Sequence, residues 1–175
     1  MRVSLGKSEI KGRVAAPSSK SYTLRGLMCA ALARGESEII NPLASDDTEA
    51  ATEVLGKIGI QVVPGQKLWR VVGGDFQQPK TELFCRESAA TLRFMTAICS
   101  LVPGECRLKA SPSLAVRPIR PLLQALNQLG VDCHYQPEKA SMIVRGTRLR
   151  GGIAELPGNI SSQFVSALLL IAPFA

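Results

Sequence analysis

Apolar positions along the chain follow two periods, one typical of helices and one typical of strands. From Leu24 to Leu32 the apolar residues recur at the i, i+3, i+4 spacing of an amphipathic helix, and Ser45-Asp46-Asp47 is typical of a cap that starts a second helix. Short apolar runs bounded by glycine or proline predict strands. The first part of the chain is therefore predicted to contain a strand at 13–16, a helix, a strand at 37–41, a second helix, and a hairpin joining 61–63 to 68–72.

This order of elements recurs about 70 residues further along, which indicates an internal repeat. Thr23-Leu24-Arg25 returns as Thr91-Leu92-Arg93, and a glycine closes the later helix of both copies, at Gly59 and at Gly130. The second copy is predicted to have strands at 82–85, 106–110, 131–135 and 142–144, a helix that runs through Leu101, and a helix with Pro118 in its first turn.

A third copy begins with a predicted strand at 153–156 and a helix from Ser161. Because 164–172 is apolar on nearly every side, that helix is predicted to be buried all round. The chain ends one helix into this copy, so we expect the sequence to be part of a longer protein. The predicted class is α/β (α+β), built from repeated βαβαββ units: two complete copies at about 13–75 and 81–148, and the start of a third at 151–175.

Composition narrows the classes of function. The 175 residues, 46% hydrophobic and 20% charged, suit one globular domain. The net charge of +7 is compatible with plain surface charge, with a nucleic acid partner or with small acidic substrates. Aromatic residues make up only 5%, and no basic run exceeds two residues, which argues against a single-strand nucleic acid binder. The run 164–175 is too short to cross a membrane, and the first residues do not resemble a secretory signal, so we expect a cytoplasmic protein.

The five cysteines are predicted to be reduced thiols that bind no metal. Their number is odd, they form no CxxC pair, and the single histidine, His134, has only Cys133 beside it as a possible ligand.

Each copy places a short polar loop at the start of its first helix, at 18–21, 86–90 and 159–163. Helix N-termini carry unpaired N–H groups and partial positive charge, so three such loops predict a shared anion site. The alternative is that the serines are plain helix caps and the arginines are solvated. No GxxxxGK[ST] or GxGxxG motif occurs, so the anion is not predicted to be a nucleotide.

Four motifs, in matching order and spacing along the whole chain, resemble the 5-enolpyruvylshikimate-3-phosphate synthase family. They are Pro17-Ser18-Ser19-Lys20-Ser21-Tyr22-Thr23-Leu24-Arg25, Ser45-Asp46-Asp47-Thr48, Arg117-Pro118-Ile119 and Gly158-Asn159-Ile160-Ser161-Ser162-Gln163-Phe164. The first and the last are the specific ones. The resemblance implies transfer of the enolpyruvyl group of phosphoenolpyruvate to the 5-hydroxyl of shikimate 3-phosphate, with release of phosphate and without metal or organic cofactor. This is a step toward the aromatic amino acids.

The resemblance also implies a role for each matching residue on the shikimate side. Lys20 would lie between both substrates, where a catalytic role is possible, and Ser21 and Arg25 would hold the phosphate of shikimate 3-phosphate. That pocket would be completed by Ser161, Ser162 and Gln163.

On the phosphoenolpyruvate side, the resemblance assigns binding to Arg117, whose planar fork of donors suits carboxylate or phosphate oxygens, and places Gln163 nearby. The family usually has a glycine and then a threonine where Ala89 and Ala90 stand here. Alanine at the first position accompanies weaker inhibition by glyphosate in the family, so reduced sensitivity is predicted for the complete enzyme. Glu87 is interpreted as either a surface acid or a loop anchor.

Family members have a second domain that supplies the groups acting on the 5-hydroxyl and on the leaving phosphate. Residues 1–12 resemble a strand of that domain, and 13–175 an incomplete N-terminal domain. Asp46 and Asp47 are interpreted as helix caps and not as acid–base groups. The chain alone is therefore expected to bind its substrates weakly, to catalyse nothing, and to need the missing C-terminal domain as its partner.

Two alternatives remain open. A UDP-N-acetylglucosamine enolpyruvyl transferase shares the fold and the donor, but typically has Lys-Asn where this chain has Lys20-Ser21. It also uses a reactive loop cysteine, whereas Cys85 and Cys106 fall in predicted strands. The other alternative is a non-enzymatic module that binds RNA or another polyanion, for which binding would fall steeply with added salt.

Overall fold

The computed structural model describes residues 2–4, 6–7, 9, 11–146 and 149–175, and it has a mixed α/β architecture. The helices are α1 (Lys20–Leu32), α2 (Asp46–Lys57), α3 (Ala89–Ile98), α4 (Pro112–Ala115), α5 (Arg120–Gln128) and α6 (Ser162–Ile171). The strands are β1 (Gly35–Ile40), β2 (Gln61–Val63), β3 (Leu68–Gly73), β4 (Leu83–Phe84), β5 (Glu105–Lys109), β6 (Asp132–Gln136) and β7 (Ser141–Arg145). Short 3-10 turns follow α3, β6 and α6.

Two separate sheets carry the helices. The first has the strand order β1-β3-β2 with antiparallel pairing, so the predicted hairpin of β2 and β3 is present. The second has the order β4-β5-β7-β6, in which β4 runs parallel to β5 and the other pairs are antiparallel. A parallel pair requires a crossover, and α3 provides it between β4 and β5.

Serine side chains start the four helices that matter for the site. Ser19 Oγ accepts the amide proton of Tyr22 at α1, and Ser45 forms a capping box with Thr48 at α2. The same kind of cap is made at α3 and α6 by Ser88 and Ser161. One serine of each polar loop, Ser19, Ser88 or Ser161, is thus a helix cap.

The helices and sheets enclose one contiguous apolar core. Phe94 of α3 and Phe164 of α6 are its largest fully buried side chains, and α3 packs against α6. All five cysteines are free; Cys29 is exposed, and the buried ones are Cys85, Cys99, Cys106 and Cys133.

The predicted strands at 13–16 and 153–156 are wrong, because neither segment forms a strand in the structure. Both lie on the surface, with Val14 94% and Ile153 91% exposed. A strand needs a paired neighbour to satisfy its backbone, and the described residues place none beside either segment. In the predicted first strand, Met1, Leu5, Ser8 and Ile10 lie outside the described residues, and the described residues of 1–12 belong to no strand.

Two helix predictions also need correction. Helix α5 begins at Arg120 with Pro121 in its first turn, so Pro118 precedes the helix, and the short α4 before it was not predicted. Helix α6 is not buried all round: it buries Phe164, Ala167 and Ile171, whereas Leu169 on another face is 67% exposed. Among the described residues, no helix is long and apolar enough to cross a membrane.

Candidate active site

Lys20, the first residue of α1, forms an ion pair with Asp47 in the first turn of α2. About half of the Lys20 side chain is exposed, and the Asp47 side chain is 20% exposed. The pair therefore joins the N-termini of two helices while the ammonium group stays accessible to a ligand.

Arg25, one turn further along α1, is held by contacts from three sides. Its guanidinium donates to the carbonyl of Ser21 at 3.1 Å and to Ser166 Oγ of α6 at 3.3 Å, and it stacks over the Phe94 ring at 5.2 Å. The aromatic face attracts the cation and fixes the plane of the fork. The side chain is only half-buried, so donors remain for a further acceptor.

Arg93 of α3 is held in a similar way to Arg25. Its guanidinium stacks over the Phe164 ring at 5.0 Å and donates to Ser161 Oγ at 3.1 Å, to Gln163 Oε1 at 2.7 Å and to the carbonyl of Pro118 at 3.2 Å. Burial, and then the positive charge of Arg117, lower the pKa of Arg93. Both causes disfavour the cation, and the attraction of an anion placed beside Arg93 would offset them.

Arg117 lies exposed at the turn between α4 and α5, close enough to Arg93 for the two charges to repel. Glu87 acts as a loop anchor, because its carboxylate accepts a hydrogen bond from Ser113. The hydroxyls of Ser111 and Ser113, and then the charge of Arg117, lower the pKa of Glu87. The loop before α3 is thereby tied to the segment that carries Arg117.

The start of α3 is tied to α2 as well. Ala89 is the first residue of α3 and is half-buried, directly after the cap Ser88. The hydroxyl of Thr91 donates to the carbonyl of Asp47 at 3.2 Å. The N-termini of α1, α2 and α3 are thus connected by side-chain contacts, and Arg93 extends the connection to α6.

The predicted residues differ in how the structure uses them. Lys20, Arg25, Ser161 and Gln163 take part in the contacts above, whereas Ser21 and Ser162 are exposed with no side-chain hydrogen bond among the described residues. Across the same residues, no group of three or more His, Cys, Asp or Glu side chains is placed to share a metal ion.

Sequence reasoning missed two residues. Arg93 served only as a marker of the repeat, and Asp47 was interpreted as a helix cap, yet one holds Gln163 and the other holds Lys20. The sequence does carry a sign of the role of Arg93, because Thr91-Leu92-Arg93 has the same three residues as Thr23-Leu24-Arg25.

Comparison with known proteins agrees with the motifs. Residues 5–175 match the family model described as EPSP synthase (3-phosphoshikimate 1-carboxyvinyltransferase). A 3-phosphoshikimate 1-carboxyvinyltransferase of Dehalococcoides mccartyi is 50% identical over 99% of this chain and 41% of that protein. One of Methanothermobacter thermautotrophicus is 40% identical over 94% of this chain and 40% of that protein.

Among solved structures, an EPSP synthase from Acinetobacter baumannii has a similar fold, with a TM-score of 0.84 at 23% identity over 94% of this chain and 39% of that one. The chain thus spans about two fifths of the length of the curated relatives it matches. The family model covers nearly the whole chain, and the chain therefore belongs to the EPSP synthase family.

Proposed function

We propose that this chain supplies the shikimate 3-phosphate half-site of an enzyme that transfers the enolpyruvyl group of phosphoenolpyruvate to the 5-hydroxyl of that substrate. The observation that carries the proposal is the pair of guanidinium groups, Arg25 and Arg93, that α1 and α3 direct against α6. Lys20 lies one turn before Arg25.

The chemistry of a phosphate ester suits this arrangement. A phosphate dianion needs several donors and a positive potential, and Arg25 and Lys20 provide both at the start of α1. The depressed pKa of Arg93 reflects a half-buried guanidinium near a second one, Arg117, so added negative charge would be favourable. We assign the phosphate to Lys20, Ser21, Arg25 and the 161–163 loop.

Phosphoenolpyruvate carries a carboxylate and a phosphate, and we assign it to Lys20, Arg117, Gln163 and the backbone at Ala89. The two candidate acids near the site are engaged: Asp46 with Arg86 and Asp47 with Lys20. The proton transfers at the 5-hydroxyl are therefore assigned to residues in the part of the relatives that this chain does not cover. The chain alone is therefore expected to bind the two substrates without converting them to product.

The order of elements supports the proposed repeat. One stretch runs α1, β1, α2, β2, β3, and the next runs β4, α3, β5, α5, β6, β7, apart from the inserted α4. Arg25 stacks on the Phe94 of the following copy, and Arg93 stacks on Phe164 in the same way. We propose repeated units at about 13–75 and 81–148 and the start of a third at 151–175, of which, among the described residues, the unit at 81–148 has a leading strand and the other two do not, with 1–12 belonging to a second domain.

A calorimetric titration tests the half-site. We expect the chain to bind shikimate 3-phosphate and not unphosphorylated shikimate, UDP-N-acetylglucosamine or a short oligonucleotide. Arg25→Ala should weaken binding roughly ten- to a hundredfold, the usual range for hydrogen bonds to charged groups. Arg70→Ala, which removes an ion-paired arginine from β3, is the matched control and should bind as wild type does. Equal binding of both sugars, or tighter binding of the oligonucleotide, would contradict the proposal.

A chimaera tests the complete activity. Joining this chain to the remaining portion of the Dehalococcoides mccartyi relative should restore release of phosphate from phosphoenolpyruvate in the presence of shikimate 3-phosphate. Arg25→Ala in the chimaera should abolish most of that release. A folded chimaera that uses UDP-N-acetylglucosamine instead would establish the sister activity.

A further inference from the structure

Arg86 has an unusual backbone for so large a residue. Its φ angle is 49°, in the left-handed region that it shares with Asn41 and Ala140 among the described non-glycine residues. Bulky side chains seldom occupy that region, because the Cβ atom crowds the carbonyl. A glycine would adopt the same angle without strain, so the arginine side chain is expected to make contacts that offset the strain.

The side chain reaches three carboxylates on one face of α2. Its guanidinium contacts Asp46 Oδ1 at 2.5 Å, Glu49 Oε2 at 3.4 Å, and Glu53. These residues are spaced at i, i+3 and i+7, so one fork spans two turns of the helix. The side chain is 26% exposed, and both nitrogens of the fork are engaged. A fork with several acceptors fixes orientation more firmly than a single exposed pair.

The backbone of Arg86 serves two other segments. The Cys85–Ser88 turn closes around it through a hydrogen bond of 3.0 Å from the Ser88 amide to the Cys85 carbonyl, which sets the start of α3. The Arg86 carbonyl accepts the Ser111 amide at 3.2 Å, at the segment leading to Arg117. One residue therefore connects α2, the start of α3 and the approach to Arg117.

These contacts bear on the site because α2 carries Asp47, the partner of Lys20. Resting on the proposed function, we propose that Arg86 is a positioning residue that fixes the spacing between the Lys20–Asp47 pair and Arg117. It contacts neither substrate. The left-handed backbone directs the side chain to α2 while its carbonyl holds the α4 approach.

The test separates the side chain from the backbone. Arg86→Gly keeps the turn and relieves its strain but removes the contacts with α2, whereas Arg86→Lys keeps one charge without the fork. Arg86→Gly is expected to weaken shikimate 3-phosphate binding roughly tenfold at an almost unchanged melting temperature, and Arg86→Lys to restore part of the affinity. Arg70→Ala removes an arginine that pairs with two carboxylates, Glu36 and Glu38, in the first sheet; it is the control and should leave affinity unchanged.

A double-mutant cycle adds a readout that general destabilisation would not produce. Asp46→Asn combined with Glu49→Gln and Glu53→Gln should reproduce the loss, and adding Arg86→Gly should cost no more, because both sets of changes remove the same three contacts. Additive losses, or wild-type affinity in Arg86→Gly, would overturn the proposal.

Amide hydrogen exchange decides the question without a ligand. In Arg86→Gly, exchange at Ser111 and Thr91 should accelerate, while exchange in β5 and β7 should stay at the wild-type rate. Unchanged exchange at both amides would overturn the positioning role. Failure of the wild-type chain to bind shikimate 3-phosphate would instead count against the proposed function, and the exchange experiment would still judge Arg86.

Discussion

Arg93 donates a hydrogen bond of 2.7 Å to Oε1 of Gln163, and this contact fixes which end of the amide is available to a ligand. Because the oxygen is occupied by the guanidinium, the NH2 group of Gln163 is left to donate. A donor beside the guanidinium of Arg93 suits an anionic ligand. Arg93 thus orients a residue that the family resemblance assigns to both substrates.

Replacing Gln163 with glutamate should separate stability from binding. A carboxylate at this position would pair more strongly with Arg93 but would lose the NH2 donor and repel an anion. We expect an unchanged or raised melting temperature and roughly tenfold or more weaker binding of shikimate 3-phosphate by calorimetry. Gln66→Glu, the same charge change in the exposed β2–β3 turn, is the control. Equal losses of affinity in both variants would mean that the change in net charge, and not the contact with Arg93, weakens binding.

Two glycine-to-alanine changes should have opposite effects on stability. A Cβ at Gly73 would overlap the carbonyl of Ala30 and lie 2.6 Å from that of Ala33, so α1 would have to move away from β3. We expect a loss on the order of 2 kcal/mol in the free energy of unfolding. At Gly56, on α2, nothing lies within 4 Å of the added atom, and a gain of about 1 kcal/mol is expected from helix propensity. Urea unfolding measures both, and a neutral Gly73→Ala would refute the close packing.

Burial raises the pKa of the Cys85 thiol from 9.0 to about 12, which predicts a loss of stability in alkali. Between these values the unfolded chain has released the thiol proton and the folded chain has kept it. Since the unfolded state binds fewer protons, the free energy of unfolding falls as pH rises through this window, by about 1.4 kcal/mol per pH unit for this group.

The free energy of unfolding of Cys85→Ala should be lower than that of wild type at neutral pH, and it should change less as pH rises. Urea unfolding at several pH values from about 9 to about 10.5, the lower half of the window, compares the pH slope of its stability with that of wild type. If stability fell with pH equally steeply in both proteins, the Cys85 thiol would not be responsible for the loss of stability in alkali.

Ala89→Gly in the chimaera should increase sensitivity to glyphosate. Removing the methyl group at the start of α3 opens space beside the assigned phosphoenolpyruvate position, which the inhibitor needs and the substrate does not. We expect inhibition of phosphate release at lower glyphosate concentration, with a smaller change in the apparent KM for phosphoenolpyruvate. Ala90→Gly has a similar cost in helix propensity and should not increase glyphosate sensitivity. If Ala90→Gly increased the sensitivity more than Ala89→Gly does, the residue that limits space for the inhibitor would be Ala90 and not Ala89.

Elements with nearby hydrogen-bond partners were predictable from the sequence. The β2–β3 hairpin, the β6–β7 pair and the serine-capped helices all follow from local spacing and turn chemistry. The strands predicted at 13–16 and 153–156 failed because a strand forms only where another lies beside it, which local pattern does not reveal. The exposed face of α6 was missed for a similar reason, since apolar character does not say which neighbours are present.

The candidate site also contains residues that the sequence reveals and residues that only the structure reveals. Lys20, Arg25 and Gln163 were found because they lie in recognisable motifs. Asp47 and Arg93 gain their roles only through contacts with distant residues, so their sequence context looked ordinary. Arg86 was noted only as part of a polar loop, because its left-handed backbone is visible only in three dimensions.

The contact between Arg25 and Ser166 joins residues that are 141 positions apart, and that separation sets when the site can exist during folding. Closing so large a loop costs entropy that only neighbouring packing can offset, so hairpins form earlier than this contact. On the ribosome, α6 emerges after both sheets, and synthesis proceeds from the N-terminus. The nascent chain therefore has both sheets before the contact between Arg25 and Ser166 can form.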